Sequence, residues 1–249
     1  MTSPEPASAA RPDGPRLRRA VRVVAWVLAL LVAVPVVVYV VHGGIGSIRG
    51  VALRREVAGE VAERRAVVQP EVLALRERQR AVLPEPPTHS WAALQCAFGT
   101  TEGGWIVQAY HQSCWFTTLD LYPVASEDEA VQRAGALPAE LFGAPGEDPG
   151  YAVHCRVLTS SVEPSSEAGT QLLWVPGGAV APGDQHCSRL TLGQYAADAV
   201  EPLDPTSVDP GTDWLVVSNQ APVLERRELG CSPWSLVFCS RPWDEPVLG

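Results

Sequence analysis

An α+β fold carried on a single apolar helix is what the sequence predicts, and three observations predict it. Residues 23–41 form a run of nineteen uncharged side chains, VVAWVLALLVAVPVVVYVV. Glutamates and arginines at three- and four-residue spacing follow over 51–82. Beyond a proline cluster at 84–87, short apolar and β-branched stretches alternate with Gly/Pro turns and two helical patterns.

As a helix the run 23–41 extends about 28 Å, close to the thickness of bilayer hydrocarbon. Buried helices of soluble proteins seldom stay apolar on every face for this long. Trp26 and Tyr39 stand near its ends, where amphipathic rings favour the membrane interface, and Pro35 is tolerated where neighbouring groups satisfy the freed carbonyl. Arg16, Arg18, Arg19 and Arg22 crowd its entrance, whereas only Arg49 lies within ten residues of its exit. Positive charge is retained on the cytoplasmic side, so the N-terminus is expected in the cytoplasm and the remainder outside. A cleaved signal peptide is the competing reading, with Gly44–Ile45–Gly46 as a weak small-x-small site; its apolar region normally spans 7–15 residues, which favours an uncleaved anchor.

Charge divides along the chain. Residues 1–22 carry +3, residues 42–83 again +3, and residues 84–249 stand at −15. So acidic a domain is a poor partner for nucleic acid, whose binding needs basic patches, and no nucleic-acid partner is expected. All 19 basic residues are arginine. The absence of lysine excludes a P-loop lysine, a Ser–Lys nucleophile and Schiff-base chemistry. The same bias, with a lone Asn219 and three isoleucines, fits a GC-rich bacterial genome.

Four segments follow from these patterns. Residues 1–22 form a basic tail rich in Pro, Ala and Ser, expected to be disordered, and residues 23–41 form the membrane helix. Residues 42–83 combine a glycine hinge, GGIGSIRG at 43–50, with a charged juxtamembrane helix interrupted at Pro70. Val68, Val72, Leu75 and Val82 fit a heptad seam with Gln79 between them. That seam permits a homodimer, although Arg54 and Arg65 break it upstream and a monomeric stalk or a helix lying on the globular domain fits better. Residues 84–249 form the globular domain.

Within that domain strands are expected at 92–97, 105–110, 114–124, 151–159, 171–175, 213–218 and 235–239, with a turn at Glu102–Gly103–Gly104. Ser126–Glu127–Asp128–Glu129 reads as a capping box opening a helix to Leu137, and a second helix is expected over 191–200. From Cys114 onward this order matches the split βαβ arrangement, βαββαβ, of ferredoxin-like folds, with flanking strands extending the sheet.

Six cysteines, Cys96, Cys114, Cys155, Cys187, Cys231 and Cys239, all fall on the expected outer side, where disulfides persist. Fifteen pairings exist; Cys96–Cys114 across neighbouring strands, Cys231–Cys239 across the last turn and Cys155–Cys187 form the working set. His111, His154 and His186 adjoin cysteines in a way that suits zinc, but neighbouring strand residues face apart and no C-x-x-C pair exists, so disulfides are expected and no metal or other cofactor. The same lack weakens thiol–disulfide oxidoreductase chemistry. Hydrolase chemistry finds neither a G-x-S-x-G elbow nor an H-E-x-x-H helix, although Glu102, Asp120 and His111 offer a candidate cleft. Trp105, Trp174 and Trp214 sit in strand patterns and read as core, while Trp234 and Trp243 each follow a proline and read as surface.

The expectation is a single-pass, signal-anchored protein of a bacterial cell envelope, without enzymatic activity. Its outer domain would bind a protein or envelope partner, and its residues 23–41 the lipid bilayer. A membrane-anchored envelope hydrolase is the alternative.

Overall fold

The computed structural model describes residues 14–103, 106–145, 155–161, 169–177, 196–204 and 207–231. Its first element is a helix, α1, running without a break from Gly14 to Val82. Sixty-nine residues make a rod of roughly 100 Å. Three expectations are corrected here, the first being the disordered tail, since residues 14–22 already belong to α1. The glycines at 43–50 do not form a hinge, and Pro70 does not end the helix. A glycine costs a helix about 1 kcal/mol without forbidding it, and the Ser47 hydroxyl donates to the Gly43 carbonyl at 2.8 Å, within the helix itself. Pro70 forfeits one backbone bond, but Val68 and Val72 on either side pack onto the sheet and hold the flanking turns in place. The helix stops at Val82, where Leu83–Pro84 cannot continue the ladder.

Two halves of α1 have opposite surroundings. Val23, Trp26, Leu31, Val34 and Val37 are exposed, as are all the large apolar residues of the run, and none of its most apolar stretch is buried. Val57, Val61 and Val72 are buried against the sheet. The heptad seam through Val68 and Val72 is therefore occupied by the domain's own strands.

Seven strands follow among the described residues: β1 (His89–Gly103), β2 (Ile106–Val124), β3 (Ala144–Pro145), β4 (Arg156–Ser160), β5 (Gly169–Val175), β6 (Ala196–Glu201) and β7 (Asp213–Gly230). Two helices, α2 (Glu127–Gly135) and α3 (Ala139–Phe142), lie between β2 and β3. The strands form one sheet in the order β3-β4-β5-β7-β2-β1-β6, antiparallel at every junction. This is not the ferredoxin-like order. The last described strand, β7, inserts at the centre between β5 and β2, and the helix expected over 191–200 is, in its described part, the edge strand β6. Alanine-rich composition favours helix locally, but Ala196–Glu201 gains a hydrogen-bonded partner in β1, and pairing overrides propensity.

The strands expected separately at 105–110 and 114–124 are one long β2, because Tyr110–Gln112 pairs with both β1 and the end of β7. The capping box forms at α2: the Ser126 hydroxyl accepts from the Glu129 amide at 3.3 Å, and the Glu129 carboxylate accepts from the Ala125 amide at 2.7 Å. The strand expected at 235–239, with Trp105, Trp234, Trp243, His154, His186, Cys187 and Cys239, lies outside the described residues.

Side-chain alternation along β2 builds two faces. Leu119 and Leu121 point with Trp91, Leu173, Trp214 and Val216 to one side, where Val208 packs on them. Phe116 and Tyr122 point to the other. There the second half of α1 covers Leu94, Phe116, Val223 and Leu224, while α2 and α3 cover Tyr122, Val124, Leu172 and Leu215 with Ala130, Ala134 and Phe142. Cys96 and Cys114 face each other across β1 and β2, Cα atoms 4.1 Å apart, and form a disulfide. Cys155 and Cys231 are each disulfide-bonded too, while Cys187 and Cys239, their expected partners, lie outside the described residues.

Candidate functional site

A densely bonded buried polar cluster lies where α1 meets the sheet. Helical spacing puts Arg76, Gln79 and Arg80 on the face that Val72 buries, and strand alternation puts Asp120 on the side of β2 that looks at it. Arg76 is 1% exposed and Asp120 2%. Arg76 donates from Nε to both Asp120 oxygens at 3.0 Å, from Nη2 to Oδ1 at 2.6 Å, and from Nη1 to Glu201 of β6 at 2.8 Å. Arg80 approaches from the next turn, its Nε 2.9 Å from Oδ2 and its Nη2 2.7 Å from Oδ1, and its Nη1 donates to Glu77. The Ser90 hydroxyl of β1 donates to the same Oδ1 at 2.8 Å.

Burial alone pushes the Asp120 carboxyl up; the hydrogen bonds from Arg80 and Arg76, with the attraction of both guanidinium charges, outweigh it and hold the group below its ordinary value. With both oxygens taken by these donors, Asp120 has no free lone pair to accept a substrate proton. Its chemistry is that of a fixed counter-ion. Because the pKa is depressed in the folded chain, the contribution of Asp120 to stability is complete above the unfolded value of 3.8 and is lost as pH falls through the lower folded value. Denaturant midpoints of the wild type and an Asp120→Asn variant should therefore differ by a constant amount above pH 5 and converge only below pH 3.8. Convergence nearer neutrality would show that another group controls the pair.

One turn away, the Gln79 and Asn219 side-chain amides bond reciprocally, at 3.0 and 2.8 Å. Gln79 also donates to the Leu141 carbonyl of α3 and to Thr170 of β5, and Asn219 to Thr118 of β2. Five elements thus meet at one buried amide pair, with the polar atoms matched rather than left without water.

Beside this lock is a cavity of about 200 Å³ between the end of α1, α2, β2 and β7, lined by Leu83, Pro84, Tyr122, Arg133, Leu137 and Leu215 among others. Tyr122 is buried and its hydroxyl has no hydrogen-bond partner; burial, then the nearby Asp120 charge, raises its pKa and keeps it protonated. An apolar void of 150 Å³ can accommodate benzene, so this one matches a small apolar body.

The residues nominated from sequence disperse. His111 and Asp120 sit nine positions apart on one extended strand, about 30 Å. They project to opposite faces. The imidazole of His111 lies across its cross-strand partner Gly99, so closely that a Cβ there would stand 2.2 Å from Nε2. Burial, and then the Arg226 charge, lowers the His111 pKa. Glu102 pairs with Val107 near the hairpin end. Among the described residues no group of three His, Cys, Asp or Glu side chains is placed to hold a metal ion. Trp91 and Trp214 are core residues, Trp214 meeting His89 edge-on with centroids 5.4 Å apart, and Trp174 is half-buried.

No protein-family model, no curated protein and no solved structure matches this chain.

Proposed function

We propose that this protein is a single-pass membrane-anchored binding or scaffold domain of a bacterial cell envelope, with residues 1–22 in the cytoplasm and the sheet domain outside. The observation that carries the reading is the division of α1: one helix, exposed all round where it is apolar and covered by the sheet along one face where it is charged and amphipathic. An exposed apolar surface of this length on a helix long enough to span the hydrocarbon fits lipid. The arginines that precede it and the disulfides beyond it support the orientation.

A rigid mount is the mechanical sense of the arrangement. The helix continues through the glycines, and Arg76, Gln79 and Arg80 insert its last turns into the sheet, so the domain is carried at a set height and rotation above the bilayer rather than on a tether. Such a mount suits a protein that presents a surface to a partner in the envelope.

Orientation is tested by fusing a reporter that is active only outside the cytoplasm, such as alkaline phosphatase, after Gly249. An active fusion is the expected result, with a cytoplasm-only reporter dark at the same position. The reverse pattern would overturn the orientation.

A further inference from the structure

Neither the membrane span nor the docking of α1 requires the cavity of about 200 Å³ beside the buried polar lock. Its floor is the sheet, where Tyr122 of β2 and Leu215 of β7 are paired neighbours, Leu215 fully buried and Tyr122 3% exposed. Its sides are Leu83–Pro84, where the chain leaves α1, and Leu137, just past the end of α2. Pro84, Glu85 and Ala136 are exposed, so the cavity opens to solvent between those two sides.

Each side is held by bonds of its own. The segment after Pro84 is pinned to the sheet where the Thr88 amide donates to the Leu121 carbonyl at 2.9 Å. The turn that carries Leu137 is closed by its amide, which donates to the Ala134 carbonyl at 3.2 Å, and Ala130 and Ala134 seat α2 on the sheet. A site built this way exists before anything enters it, which spares an occupant the cost of ordering it.

Two properties select the occupant. The first is size and polarity. The lining is mainly apolar, and since a void of about 150 Å³ holds benzene, this one holds a ring with a substituent of about two or three heavy atoms. Arg133 is already paired with Glu129 at 2.6 Å and Glu85 lies exposed at the mouth, so the interior offers no charge to match an ionised ligand. The second property is Tyr122. Its hydroxyl is buried, stays protonated and has no hydrogen-bond partner. Buried polar groups are paired in all but a few cases, because an unpaired one forfeits its bond to water; an orphan donor on a residue that lines a cavity marks a place for a ligand acceptor. We propose that this cavity binds a neutral single-ring molecule carrying one carbonyl or ether oxygen, with the ring against Leu215 and Leu137 and the oxygen accepting from the Tyr122 hydroxyl. The end of α1 lies about 60 Å along the helix from Val41, so the ligand arrives from solution and not from lipid around residues 23–41. The site does not depend on the membrane reading, and each can fail without the other.

Acetophenone and ethylbenzene, close in shape but with the carbonyl present in only the first, are the probes. Each is titrated into the full-length protein in phospholipid nanodiscs at matched aqueous concentrations, and leucine and valine methyl signals are followed by NMR. Saturable shifts at Leu83, Leu137 and Leu215, with Val57 and Val61 under α1 unmoved, are the expected result. Tyr122→Phe keeps the ring, and because the hydroxyl bonds nothing in the free protein it should leave the denaturation midpoint no lower. That variant should bind acetophenone about ten-fold more weakly and ethylbenzene within about two-fold of the wild type. The absence of a saturable shift with acetophenone would overturn the site. Equal weakening of the two probes in Tyr122→Phe, no weakening of either, or a lowered midpoint would show that the hydroxyl serves the fold or nothing at all, and would overturn the proposal as well.

Discussion

Replacing Asp120 with alanine should lower the stability of the sheet domain by about 3 kcal/mol, the lower end of what removing one member of a buried ion pair costs. The loss comes from what the substitution leaves behind. Arg76, 1% exposed, keeps its charge and loses its main partner, and Arg80 loses two bonds. Glu201 still accepts from Arg76 Nη1, which keeps the cost from the upper end of that range. An exposed pair would return under about 1 kcal/mol, so a midpoint shift that small in urea denaturation of the full-length protein would show the cluster to be hydrated rather than buried. A double variant, Arg76→Met with Asp120→Leu, should recover much of the loss, because replacing both charges with apolar groups of similar size removes the unpaired group that causes it. If the double variant were less stable than Asp120→Ala, the guanidinium would be contributing through Glu201 and the sheet edge instead.

Removing the Cys96–Cys114 disulfide should cost about 3 kcal/mol, the chain-entropy expectation for a loop of this length. Both cysteines must be replaced, by alanine, since a lone thiol would exchange with the disulfides at Cys155 and Cys231. The bridge ties β1 directly to β2, so the loss should be local as well as global: amide exchange in β1 and β2 around Cys96 and Cys114 should rise more than at β5. Uniform exchange, or an unchanged denaturation midpoint under non-reducing conditions, would show that the β1–β2 pair is held by its strand pairing alone.

Much of the one-dimensional organisation was legible in the residues. The apolar run, the charged helix, the stop at Leu83–Pro84, the capping box at Ser126 and the first disulfide all rest on interactions between residues close in sequence, or on one property repeated along it. The glycine stretch and Pro70 were misread for a related reason: local propensity argues for a break, but a long helix packed against a sheet along its second half tolerates a few kcal/mol of local cost.

The candidate site was not legible, and Arg76, Glu201 and Asn219 show why. Arg76 reads as one of eight arginines on a solvated helix; only the sheet behind it makes it a buried charge. Glu201 is 125 residues from Arg76 and Asn219 is 140 from Gln79. Faint hints existed, in a glutamine on an apolar seam and the chain's lone asparagine just past the strand expected at 213–218, but a hint of burial does not name a partner. Sequence periodicity determined which face of α1 would be covered and which residues of β2 would share a side, because helix and strand geometry repeat every 3.6 and 2 residues. Tertiary structure alone decided that the cover would be this chain's own sheet, that β7 would enter at its centre, and that two arginines would close on one aspartate, because those outcomes depend on contacts between segments whose meeting leaves no local trace in either one.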